Sequence, residues 1–167
     1  MRHLSRERRV RQGAAMLAAA AVFALAFVAL DLAFWWVPLG VGLVYLAAAA
    51  ASGRDGSYWA TAVTVSGWGL SVAWLNVADP DVIAPAAQVF GIGVGALAGA
   101  ALARQGFAVD LLGVAAAAAG VGLLFMLERQ AGWLVDWETY AVLLGAIGLI
   151  NLALAPGSPR DARPSPG

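Results

Sequence analysis

The eighteen residues GAAMLAAAAVFALAFVAL, Gly13 to Leu30, hold no charged, amide or hydroxyl side chain. As a helix they would cover about 27 Å, close to the thickness of a bilayer's hydrocarbon core. The same apolar character resumes after each short interruption as far as Ala155. It defines the segments Gly13 to Leu30, Ala33 to Ser52, Ser57 to Ala78, Val82 to Ala103, Phe107 to Leu127 and Trp137 to Ala155. Unbroken runs of this length do not alternate as barrel strands would, and lipid offers no partner for unpaired backbone groups, so helices are required. The breaks Gly53-Arg54-Asp55-Gly56, Asp79-Pro80-Asp81 and Arg104-Gln105-Gly106 carry turn chemistry. They are short, so consecutive helices are expected to be antiparallel neighbours. The sequence therefore predicts an all-α polytopic integral membrane protein with six transmembrane helices arranged as three antiparallel hairpins.

Composition agrees. Hydrophobic residues make up 62% of the 167, charged residues 12%, and mean hydropathy is +0.79, values an ordinary water-soluble domain could not carry on its surface. The formal net charge of zero hides an asymmetry, because all ten cations are Arg and half of them precede Gln12. There is no Cys and the one His is His3, so thiolate chemistry, disulfides and ordinary metal sites are not expected, nor is any cofactor. An intramembrane enzyme would need a nucleophile with a base, and Ser66 and Ser71 have no His inside the membrane. No catalytic activity is expected.

Arginine placement gives the chain a direction. Arg2, Arg6, Arg8, Arg9 and Arg11, then Arg54, Arg104, Arg160 and Arg163, all fall on one side of a six-span arrangement. The other side has Arg129 and the acidic set Asp31, Asp79, Asp81, Glu128, Asp136 and Glu138. By the positive-inside rule both termini are expected in the cytoplasm. Residues 1–12 read as a basic cytoplasmic leader, 13–155 as the membrane domain, and 156–167, rich in Pro and Ser, as a disordered cytoplasmic tail. The run after the leader is longer than a secretory h-region, so an uncleaved first span is expected. Arginine used to the exclusion of lysine, with abundant Ala and Gly, suggests a bacterial genome and hence the inner membrane. Trp35, Trp36, Trp74, Trp133, Trp137 and Tyr140 fall near the acidic ends of their segments, as interfacial aromatics should.

Two features stand out inside the spans. Gly91, Gly95 and Gly99 recur every four residues and form a smooth helix face, suited to close packing. The formal dinucleotide-like pattern Gly91-x-Gly93-x-x-Ala96 lies in mid-span with no strand before it and lacks that chemistry. In the third segment Ser57, Thr61, Thr64, Trp68 and Ser71 share one face. With Gln88, Asp110 and Asn151 they form either a set of interhelical hydrogen bonds or a polar cavity; Asp110 is the one carboxylate placed within a span, six residues after Arg104.

The stretch Leu32-Ala-Phe-Trp-Trp-Val-Pro-Leu-Gly-Val-Gly-Leu43, and the run from Trp133 to Leu149 with Asp136-Trp137 before Leu143-Leu144-Gly145, carry a resemblance. They resemble the transmembrane hairpin region of LiaI- and LiaF-type bacterial envelope-stress proteins, in which a Trp-rich turn leads into a Leu- and Gly-rich helix. The resemblance covers the first two and last two segments. It implies a helical envelope-membrane protein, while no soluble sensory domain is expected with it. Together these readings favour a non-enzymatic scaffold, accessory subunit or modulator, partnered by the lipid bilayer and by another membrane protein or a second copy, with no nucleic acid. The alternative is a small solute transporter or channel with a polar route along the third helix.

Overall fold

The computed structural model describes residues 6–127 and 136–153, with all regular structure among them helical. His3, Arg129, Trp133 and the tail from Pro156 lie outside the described residues. The elements are α1 (Arg6–Leu30), a 3-10 turn (Phe34–Trp36), α2 (Val37–Ser52), α3 (Trp59–Ala78), α4 (Ala84–Arg104), α5 (Leu111–Leu127) and α6 (Trp137–Ala153). Three stretches are long and apolar enough to cross a membrane: Glu7–Leu30, Phe34–Ser52 and Ala84–Arg104. Leu112–Gly122 and Trp137–Ala153 are apolar but shorter. α3 reaches 20 residues, yet Thr61, Thr64, Ser66, Ser71 and Asn76 dilute its apolar character.

The helix ends follow local chemistry. α1 begins at Arg6, so Arg6 to Gln12, read from the sequence as part of a separate leader, continue the first helix. Arg, Glu and Gln are good helix formers and nothing in that stretch breaks the helix. Its first turns are tied down: Arg8 pairs with Asp55 at 3.1 Å, and the Gln12 amide, only 1% exposed, donates to Ser57 Oγ at 3.2 Å. At the far ends of α1 and α3, Asp31 (φ 47°) and Asp79 (φ 44°) adopt the left-handed conformation, which Asp tolerates better than most residues and which stops a helix. Pro38 and Pro85 stand in the first turns of α2 and α4, where a missing N–H costs nothing. Pro85 thus starts a helix and does not break one.

α3 is the hub, packed against α2, α4 and α5, while α1 packs against α2 and α6. The helix that carries Thr61, Thr64, Ser66 and Ser71 is therefore the most enclosed. The core between α1, α2 and α6 is built from Met16, Phe23, Phe27, Val37, Val44 and Leu144. Phe27 stacks on Trp137 with ring centroids 5.7 Å apart, so the end of α1 meets the start of α6. The expectation that consecutive helices are close neighbours holds from α1 to α4 and fails for α5. That helix leans on α3, touches α4 only slightly, and shares no extensive interface with α6 among the described residues. The reason lies in the residues before it. Ala108 N donates to Arg54 O at 2.7 Å, Phe107 meets the Trp59 ring edge-on at 4.8 Å, and the Arg54 guanidinium sits 5.3 Å from the Phe107 ring centre. These contacts anchor the start of α5 to the start of α3.

Large apolar side chains are exposed along the outward faces, including Val22, Leu25 and Val28 on α1, Phe90 and Leu97 on α4, and Val142 and Ile150 on α6. In water such a surface would be untenable; in lipid it is the ordinary outer face of a bundle.

Candidate functional site

Gly67-Trp68-Gly69, in the middle of α3, organises the candidate site. Successive helical residues turn by about 100°, so three in a row face three directions. Gly67 faces α4, Gly69 faces α2, and Trp68 lines a cavity bordered by α2, α3 and α5.

Toward α4 the packing leaves no room for a side chain. A methyl group added at Gly67 would lie 2.7 Å from the Gly95 nitrogen and 2.8 Å from its Cα, and one at Gly91 would lie 2.6 Å from Ser71 Cβ. At Gly95 it would meet the Val63 carbonyl oxygen and sit 2.9 Å from Thr64 Cα. The two backbones touch because neither helix presents a Cβ there. The seam loosens toward the arginine-bearing end, where Gly99 faces the Val63 and Val109 side chains at 3.2 and 3.3 Å. Gly91, Gly95 and Gly99, read from the sequence as a packing face, are all buried. Gly69, which the sequence reading did not single out, makes the equivalent contact with α2, where a methyl group would lie 2.5 Å from Leu39 Cα. Its signal was present: two glycines flanking one residue cannot both lie on one helix face.

The polar residues do not form one group. Thr64 is wholly buried and its Oγ1 has no hydrogen-bond partner among the described residues; Ser66 Oγ is in the same position. Ser71 donates to the Trp68 carbonyl of its own helix at 2.7 Å, a satisfaction that needs no ligand. Asn151 lies toward the arginine-bearing end and donates to Tyr58 Oη at 2.7 Å and to the Ile147 carbonyl at 2.8 Å, linking α6 to the start of α3. Asp110 is exposed and precedes α5. Its carboxylate accepts the Gly113 N–H, which makes it the N-cap of that helix. The expectation that Asp110 lies within a span is therefore corrected: four residues of pinned loop, Phe107 to Asp110, come before the first turn.

Thr61, Trp68 and Gln88 do come together, lining a cavity of about 560 Å³ with residues from α2, α5, α6 and the 3-10 turn. Tyr45, Tyr140, Phe34 and Trp35 supply much of its wall. Gly120 lines it from α5, and a Cβ there would meet nothing within 4 Å. The sequence reading gave Trp35 and Tyr140 an interfacial role and assigned none to Phe34 or Tyr45, so it did not find these aromatics as cavity residues. Tyr45 also meets Tyr58 edge-on at 5.4 Å, and Phe34 lies 6.1 Å from Tyr140. Among the described residues, no group of three or more His, Cys, Asp or Glu side chains is placed to hold a metal ion.

No family model, curated protein or solved structure matches this chain.

Proposed function

We propose that this is a non-enzymatic multi-pass membrane protein, a scaffold, accessory subunit or modulator acting on another membrane protein or on a second copy of itself. In this reading six helices span a bacterial inner membrane with both termini in the cytoplasm, α1 with α2 and α3 with α4 forming antiparallel hairpins. α3 completes its crossing through enclosure by its neighbours, and the shorter, more apolar α5 and α6 complete theirs through interfacial residues at their ends. The resemblance of the Trp-rich turns to LiaI- and LiaF-type proteins is in keeping with an envelope location. The observation that carries the reading is the sealed contact of Gly67 with Gly91 and Gly95, beside the wholly buried Thr64. A polar route along the face of α3 that carries Thr64 and Ser71 would have to pass through it, and a backbone contact leaves no passage there.

A transporter is the second reading, favoured by the cavity that gathers Thr61, Trp68 and Gln88. The two separate in one experiment. The full chain is cross-linked in its native membrane, purified, and its mass and stoichiometry measured, while a parallel sample in liposomes is assayed for solute flux. A fixed complex with a membrane partner or with itself, and flux equal to protein-free liposomes, supports the scaffold; flux above that level with a monomeric chain supports the transporter.

A further inference from the structure

The arginine-bearing end of the bundle gathers charge from segments far apart in sequence. Arg54 lies in the loop between α2 and α3, and Arg104 in the last turn of α4. The Ala108 N–H donates to the Arg54 carbonyl at 2.7 Å and the Phe107 ring centre lies 5.3 Å from the Arg54 guanidinium, so the chain just after Arg104 is fastened to the loop that carries Arg54. Among the described residues the carboxylates at this end are engaged: Asp55 with Arg8 at 3.1 Å, Glu7 with Arg11 at 3.9 Å, and Asp110 with the Gly113 N–H. Arg54 and Arg104 are both exposed and form no ion pair among the described residues. Two guanidinium groups on linked loops, without a carboxylate, suit a phosphate.

The face of α4 decides what carries that phosphate. At 100° per residue Phe90, Val94, Leu97 and Arg104 fall within about 80° of one another, and the first three are exposed apolar side chains. Val94 precedes Arg104 by about 15 Å of helix, half the hydrocarbon thickness of a bilayer. One face thus offers a leaflet's depth of apolar surface that ends in a guanidinium. Trp59, which meets Phe107 edge-on at 4.8 Å, is the kind of ring found at headgroup level. A soluble anion would use the charge alone, whereas a molecule with an anionic head and acyl tails uses both. At the opposite end the described residues include Asp31, Asp79, Asp81, Asp136 and Glu138 and no arginine, so the preference belongs to one leaflet.

We propose that Arg54 and Arg104 bind the phosphate of an anionic phospholipid whose acyl chains lie along the exposed face of α4. The site goes beyond the scaffold reading and needs only that the bundle sit in a bilayer. The full chain in a neutral detergent is titrated with phosphatidylglycerol and, separately, with phosphatidylcholine, and bound lipid is counted by native mass spectrometry. Each arginine beside an anionic headgroup contributes about fivefold in affinity, so the pair is expected to favour phosphatidylglycerol by about thirtyfold. The double variant Arg54→Gln with Arg104→Gln is expected to bind the two lipids alike at an unchanged melting temperature, while Arg54→Lys with Arg104→Lys keeps most of the preference. Should the double glutamine variant prove unstable, Arg104→Gln alone is expected to weaken phosphatidylglycerol binding about fivefold. Equal binding of the two lipids by the unmodified chain, or a full preference in the glutamine variants, would overturn the proposal. So would displacement of phosphatidylglycerol by inorganic phosphate, which would make this a site for a soluble anion.

Discussion

Two faces of α3, one residue apart in sequence, differ as much as any two regions of the molecule. Gly67 lies against the backbone of α4 with no space for a methyl group, while Trp68 borders a cavity of about 560 Å³. The difference shows how a bundle without a hydrophobic driving force between its helices is held together. Lipid chains are as apolar as leucine, so association depends on close backbone approach, and glycine permits it. Where large aromatics take the place of glycine, the helices stand apart and leave space between them. A tight face and a roomy one can therefore be written within three residues.

Substitutions should reveal this asymmetry in order of size. The largest effect is expected at the seam: Gly95→Val puts branched carbons against the Val63 carbonyl and the Thr64 backbone. Overpacking of this kind costs about 1 to 3 kcal/mol when side chains can yield, and more where backbone is opposed. Loss of a monodisperse peak in detergent, or a steep fall in melting temperature, is the expected reading; a variant as stable as the parent would remove the seam from the account. Next comes Asp110→Ala, which deletes the N-cap of α5 and should cost about 1 kcal/mol, measured by unfolding in mixed micelles. Arg8→Ala breaks an ion pair whose side chains are 41% and 49% exposed. Solvent screening holds its expected cost to about 0.5 kcal/mol or less, lower still at high salt. Smallest is Gly120→Leu, expected to shift stability by less than about 0.5 kcal/mol because its side chain enters open space and a better helix former replaces glycine. A large loss there would mean the cavity collapses on α5.

Much of the helical frame was legible from composition and period. Leu30, Ser52 and Ala78 end helices as the sequence suggests, because Asp31, Gly53 and Asp79 carry recognisable stop chemistry. The Gly91, Gly95, Gly99 row was legible as packing for the same local reason. The start of α1 was not, since a run of arginines reads as a solvated leader until Asp55 and Ser57 are seen to hold it. The start of α5 was displaced by contacts from Arg54 and Trp59, more than 45 residues away in sequence, which no local pattern encodes. The polar stripe shows the limit most clearly. Thr61, Thr64 and Ser71 share a helical face in projection, but a face about 100° wide can meet two neighbours, and here it does. Thr61 reaches the cavity, whereas Thr64 is buried outside it and Ser71 lies against Gly91.

That division gives the most direct test. The chain has no cysteine, so Thr61→Cys and Thr64→Cys can each be made as a single thiol and exposed to a small uncharged maleimide in the folded, reconstituted protein. Thr61→Cys is expected to label at least tenfold faster, with Thr64→Cys reacting only after unfolding in detergent. Equal labelling of the two in the folded state would contradict a sealed face and an open face on one helix.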